Sequence, residues 1–341
     1  MSERRFYLDR GIGETRAVVT LGGRPERLLI ARDGDPVVTA VGARGIARVR
    51  KVDRAVGVAF LELPEKHDAV LPLKPDMEKV TEGQALEVEV RSEPRAGKSA
   101  VVRLVGPAEG APRLLAAAPD LEAELRALAR EGRIVEGPAA REAADEAEAE
   151  ALETVHSLPG GGSIAIEETR ALVAVDVDLG ERTGAESKKA ARQANLAALS
   201  SAARLLRLKG LGGLVVFDLI GRGHDGSALI SAARLAFAPD NPGVAIGAIS
   251  RFGTLELTVP RRRRPVMELL RGPLADALRL VRALEREGRA APGARLTARC
   301  SIYTSQAVRP FEAALGERLG RRFTIAPQEG WPAGRLEVFA E

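Results

Sequence analysis

The chain has one cysteine, Cys300, and three histidines, His67, His156 and His224. A lone cysteine excludes an internal disulfide, and a zinc site built on thiolates needs more ligands than it offers. So few histidines argue equally against a histidine-rich metal centre. Aromatic residues make up only 3% of the sequence. A chain this poor in rings favours phosphate contacts over base stacking. No apolar run reaches the roughly 18 residues of a membrane-spanning helix. The opening MSERRFYLDRG lacks the apolar core and small-residue cleavage site of a secretion signal. A cytoplasmic location is the resulting expectation.

What is present is ordinary for a folded protein, with 45% hydrophobic and 29% charged residues. A length of 341 residues predicts two or three units, each with its own core. The formal charge is +4, with a pI of about 9.4. A mildly basic chain suits a phosphate-bearing partner. Arg261 to Arg264 form the one dense basic run, and its plain reading is a solvated face.

Residues 6–32 alternate as three short strands, FYLD, TRAVVTL and ERLLIAR, with glycine turns between them. From 38 to 105 come five further β-rich runs, GIARVRKV, VGVAFLEL, DAVLPL, ALEVEVRS and SAVVRLV. They suggest an OB-type barrel, a platform for single-stranded nucleic acid. An unrelated five-strand domain without a ligand fits the same pattern. Residues 106–157 read mainly as a helical connector, with Leu121, Leu125 and Leu128 at helical spacing. Arg133 and Arg141 flank its one loop-like stretch, IVEGPAA, and are expected to be exposed. Residues 158–265 alternate strand and helix, which predicts an α/β unit. Within it GLVVFDLI reads as a strand buried on both faces. Residues 266–341 predict a small α+β unit.

Two aspartates stand out in the α/β part. Asp176 closes the apolar strand ALVAV and Asp218 closes LVVF, while Asp178 shares the face of Asp176. Carboxylates meeting at strand ends hold hard divalent ions such as Mg²⁺, which suits phosphodiester hydrolysis. Turn or capping aspartates without a metal fit the spacing as well. Two phosphate-binding patterns fail. AGKS at 96–99 has Ser92 where a P-loop needs glycine, and GIGETR lacks the third glycine of a dinucleotide fingerprint.

The blocks LPGGGSIAIEETRALVAVDVD, NLAALSSAARLLRLKGLGGLVVFDLI and ISRFGTLEL follow one another between residues 158 and 257. Together they resemble the catalytic segment of the RNase E/G family. GIARVRKV, VAFLEL, VLPL and EGQ leading into RAGKSA are similar to that family's barrel. The resemblance implies an α+β multidomain chain. It would comprise an RNase H-like part (1–37, reduced at 106–157) interrupted by an OB-type RNA-binding barrel (38–105). A DNase I-like catalytic domain (158–265) and a small α+β domain (266–341) would follow. Position by position, Asp176 and Asp218 match the magnesium-holding aspartates, and Asp178 the residue that positions the scissile phosphate. Phe60 and Lys98 match residues that contact single-stranded RNA beside the catalytic site, with Arg95 on the same basic loop.

The chain departs from the pattern at several points. Val70 replaces a second barrel aromatic, and Gly221 stands where a further acid is usual. The short connector leaves little chain for a pocket that senses a 5′-monophosphate. The family's paired cysteines are missing, so a zinc-linked tetramer is not expected, while a homodimer is allowed. The function implied is a Mg²⁺-dependent endoribonuclease acting on single-stranded RNA in RNA processing or decay. The alternative is a noncatalytic RNA-binding protein that keeps the fold.

Overall fold

A computed structural model describes residues 3–77, 79–180, 187–221 and 226–341. His224 lies outside them. Among the described residues no helix is long and apolar enough to cross a membrane.

The first three strands, Arg4–Arg10, Glu14–Leu21 and Arg24–Arg32, form an antiparallel meander. Next comes a closed barrel of five strands, Arg44–Asp53, Val58–Glu62, Asp68–Pro72, Ala85–Ser92 and Ala100–Pro107. Going round it, the order is first, second, third, fifth, fourth and back to the first, with only the third and fifth parallel. This is an OB-like arrangement. Alternate residues such as Val49, Leu61, Leu71, Val88 and Val102 fill its interior, as period-2 patterning demands.

Residues 106–157 supply three strands and two helices. Arg113–Ala116 pairs with the first barrel strand, and Ile134–Glu136 adds a parallel edge to the N-terminal meander. The helix Leu121–Ala129 starts on Asp120, whose carboxylate accepts the Ala123 N–H, and it buries Leu121, Leu125 and Ala129. Leu128, expected in that stripe, is instead exposed, because Ala129 occupies the inward position one residue on. The helix Pro138–Leu152 covers the other face of the meander.

The central sheet has six strands in the order 155–157, 163–168, 173–178, 213–218, 254–259 and 245–249. Only Val173–Asp178 and Gly213–Asp218 run parallel, joined by the helix Ser187–Lys209. Its Ala- and Leu-rich sequence favours helix. Leu199, Ala203 and Leu206 are buried as their spacing predicts, and Ala198, Ala202 and Leu205 are buried too. The helix lies between the central sheet and the N-terminal meander, so both its sides are covered and one core joins them. It stops at Gly210 (φ +65°), where Leu211 N–H reaches Leu206 O at 2.9 Å and Gly210 N–H reaches Arg207 O at 3.3 Å. This glycine-dependent stop delivers the chain into Gly213–Asp218.

That strand corrects one expectation. Val215 and Phe217 are buried against helices, but Leu214 is 39% exposed and lies on the side that also carries Asp218. The helices cover one face of the sheet only, so GLVVFDLI is buried on one face, not both.

The C-terminal unit packs the helix Pro273–Ala290 on a three-stranded sheet, Leu296–Ser301 between Phe323–Gln328 and Leu336–Ala340. A buried ion network ties it to the meander. Arg16 bridges Asp9 (2.6 Å) and Glu148 (3.0 Å), Arg282 binds Glu148 (2.8 Å) and Glu14, and Arg141 binds Asp9 (3.1 Å) and Glu285 (2.6 Å). Arg141 is therefore buried, contrary to expectation, while Arg133 is exposed as expected. Its partners lie over 130 positions away in sequence. The Arg261–Arg264 run is likewise no solvated face. Arg261 donates to Gly212 O, Arg263 pairs with Glu124, and Arg264 pairs with Asp35 at 2.8 Å. Only Arg262 of the four is exposed.

Candidate active site

The parallel register sets Asp176 directly opposite Asp218. Register partners on adjacent strands lie about 5 Å apart with side chains on the same face. That face is the open one, and both carboxylates are exposed. Neither forms an ion pair or hydrogen bond among the described residues. Like charges directly opposite one another are unfavourable without a counter-charge. Both aspartates stand at the carboxyl ends of their strands, where open α/β sheets bind ligands.

Asp178 follows on the same face, opposite Ser163, and its Oδ1 accepts the Gly180 N–H at 2.9 Å. That bond shapes the turn leaving the strand. The glycines of LPGGGS explain the close approach here. Gly162 has φ +83°, and a Cβ on it would lie 2.4 Å from Asp178 O. A larger residue would push the neighbouring strand away.

Two features of the site were missed in the sequence. The first is Asn195, on the long helix and 1% exposed. Its Nδ2 donates to Ile220 O and its Oδ1 accepts the Ile220 N–H, each at 3.0 Å, so one side chain holds both polar groups of a residue just past Asp218. The available signal was its position four residues before Leu199, on the apolar stripe. The second is the turn from Ser250 to Thr254. Thr254 is the register partner of Asp218, and Leu219 N–H donates to Gly253 O at 3.3 Å.

On the barrel, Phe60 is 41% exposed, with Val70 opposite it on one neighbouring strand and Lys51 on the other. Lys51 is exposed and without an ion pair among the described residues. Lys98 and Arg95 form a two-residue hairpin through reciprocal backbone bonds of 2.8 and 3.0 Å. Lys98 is exposed and Arg95 half-buried. Ala96 N–H in this hairpin donates to Glu268 at 3.3 Å, and Arg95 lies beside Glu168. Burial raises the pKa of Glu168, with Arg95 opposing and Glu268 assisting. Glu168 pairs with Val173, at the start of the strand whose other end carries Asp176. Glu168 thus shares the helix-covered face of Val173, whereas Asp176 stands further along the strand on the open face.

Among the described residues no group of three or more His, Cys, Asp and Glu is close enough to hold a metal. The protein's own contribution to an ion would be the oxygen atoms of Asp176 and Asp218. That suits Mg²⁺, which usually takes one or two carboxylates and completes its shell with water and substrate phosphate.

Residues 116–264 match the model of the family described as Ribonuclease E/G family. The stretch contains Asp176, Asp178, Asp218 and Asn195, while the five barrel strands all precede it. Among curated relatives, Ribonuclease E of Haemophilus influenzae is 41% identical over 107 residues, 30% of this chain and 11% of the relative. The chloroplastic Ribonuclease E/G-like protein of Arabidopsis thaliana is 34% identical over 135 residues, 38% of this chain and 14% of the relative. Ribonuclease G of Salmonella typhimurium is 29% identical over 123 residues, 35% of this chain and 25% of the relative. The matches thus take in no more than a quarter of each of these relatives. Residues 116–264, which carry these aspartates in register on neighbouring strands, are similar to the Ribonuclease E/G family.

Proposed function

We propose that the protein is a magnesium-dependent endoribonuclease that cuts single-stranded RNA and leaves a 5′-phosphate. The observation carrying this reading is the register of Asp176 and Asp218, two carboxylates without a partner among the described residues, side by side on an open sheet face. Bound between them, Mg²⁺ would neutralise charge developing on the phosphate and favour attack by water. Asp178 orients the phosphate or its attacking water from the same face. Asn195 acts one step back, fixing the chain that follows Asp218. The family's name and those of its relatives support action on RNA.

The remaining architecture fits the same reading. The barrel serves as an RNA platform, with Phe60 offering a ring to a base and Lys98 a charge to a phosphate. The meander with Ile134–Glu136 and its two helices corresponds to an RNase H-like part, and the six-stranded sheet to a DNase I-like catalytic domain.

The test is cleavage of an end-labelled single-stranded RNA with Mg²⁺ and with excess chelator. Asp218→Asn is expected to abolish cleavage and leave binding nearly unchanged, because affinity comes from Lys and Arg while the rate depends on the ion. Cleavage that persists in chelator refutes the metal mechanism. A wild type that binds RNA and never cuts it identifies a noncatalytic RNA-binding protein.

A further inference from the structure

The turn beside Asp218 carries two side chains that the catalytic reading leaves unused. Phe252 is 77% exposed, and the Arg251 guanidinium lies 4.7 Å from its ring centroid. A single exposed apolar residue is ordinary on a protein surface. This one is held outward by a rigid turn. Ser250 N–H donates to Thr254 O at 2.8 Å, and Gly253 N–H to Ser250 O at 3.1 Å. The Ser250 hydroxyl bonds the Thr254 hydroxyl at 2.8 Å and accepts the N–H groups of Phe252 and Thr254, both at 3.2 Å. One serine therefore fixes the turn, and its two central side chains project into solvent.

Charge gives the turn its meaning. The open face carries Asp176, Asp178, Asp218 and Glu256, all exposed. Such a face repels phosphate unless cations stand at its margin. Arg251 is exposed and forms no ion pair among the described residues, so its charge is available. The turn cannot drift from the acids, because Thr254 pairs with Asp218 and Gly253 accepts from Leu219. A cation and an aromatic face are the two elements with which proteins grip single-stranded nucleic acid without reading sequence.

We propose that Arg251 and Phe252 form a nucleotide clamp for single-stranded RNA at the edge of the acid pair. Phe252 stacks on one base, and Arg251 holds the adjoining phosphate so that the next phosphodiester lies over Asp176 and Asp218. The inference rests on the proposed action on RNA, and it places part of the grip on the catalytic sheet itself, independent of the barrel.

The test uses the full chain carrying Asp218→Asn, so that RNA is bound without being cut. The probe is a single-stranded oligoribonucleotide containing 2-aminopurine, whose fluorescence falls when it stacks on a ring. Adding Phe252→Ala is expected to weaken affinity roughly 5- to 150-fold and to abolish quenching at one position. Phe252→Leu should behave like the alanine variant, and Phe252→Trp should restore both signals. Arg251→Ala should lower the slope of log affinity against log salt by about 0.7. Exposed positions such as these should leave the melting temperature unchanged. If the parent binds RNA while Phe252→Ala, or Phe252→Leu, keeps full affinity and quenching, the clamp is refuted and the RNA reading stands. If the parent does not bind RNA, both readings fall together.

Discussion

Asn195→Ala removes the side chain that bonds both polar groups of Ile220. Each neutral hydrogen bond contributes about 1 kcal/mol net, and a buried group left unpaired costs about 1–3 kcal/mol. Ile220 is half-buried, so water recovers part of the loss. The expected destabilisation is therefore about 2–3 kcal/mol, or roughly 5 °C in melting temperature. Asn195→Asp keeps the shape but loses the donor and adds a negative charge close to Asp218, so it should be no better than alanine. Both variants loosen the chain directly after Asp218. Misplacement of a reacting group by about 1 Å can cost on the order of 100-fold in rate, so cleavage should fall at least tenfold while RNA affinity holds. Denaturant unfolding followed by circular dichroism gives the stability, and single-turnover cleavage gives the rate. If Asn195→Ala unfolds within about 0.5 kcal/mol of the wild type, the side chain does not carry this load.

Further outcomes concern the barrel, the 5′ end and pH. Lys98→Ala should weaken RNA binding on any sequence and reduce the salt slope by about 0.7, and Phe60→Ala should cost about 1–3 kcal/mol, both read by fluorescence anisotropy. Unchanged affinity in both variants would move the RNA path off the barrel. RNAs differing only in a 5′-monophosphate or 5′-hydroxyl should be cut at rates within about threefold, since Arg141 is committed to Asp9 and Glu285, and a true phosphate clamp with charged hydrogen bonds of about 1.5–3 kcal/mol gives tenfold or more. A strong preference for the monophosphate would reveal a pocket elsewhere. Lys209 is buried, donates to Ala151 O at 2.9 Å and to Glu153 O, and burial lowers its pKa to about 8. Above pH 8 the folded state loses this proton while the unfolded chain keeps it to about pH 10.4, so stability from this group rises with pH across that window. Measured by denaturation, the stability difference between Lys209→Met and wild type should therefore shift in favour of wild type by up to about 1.4 kcal/mol per pH unit there. A difference that stays constant from below pH 8 to above it would contradict this.

What the sequence disclosed and what it hid follow from the range of the interactions. Period-2 alternation from 44 to 107 revealed the barrel strands because the signal is local. The GLGG stop after the long helix is a signal of the same local kind, because a helix end in the left-handed region calls for glycine. The acid pair was visible as two aspartates closing apolar strands, but their mutual register depends on two strands pairing across a helix. Leu214 and Val216 read as core, since an apolar run does not reveal whether one face of the sheet is uncovered. Arg141 looked like a surface arginine, because Asp9 and Glu285 reach it only through folding. Arg263 and Arg264 looked solvated for the same reason, their partners lying on other elements.

The central claim is that Asp176 and Asp218 act as one unit through a single ion. The most direct measurement compares single-turnover cleavage of one RNA at saturating Mg²⁺ by the wild type, Asp176→Asn, Asp218→Asn and the double variant. Residues that work as a unit are strongly non-additive. Each single variant should fall to near background, and the double variant should be no slower than the slower single. Two partial losses that multiply in the double variant, or a single variant that cleaves at the wild-type rate, would contradict the shared site.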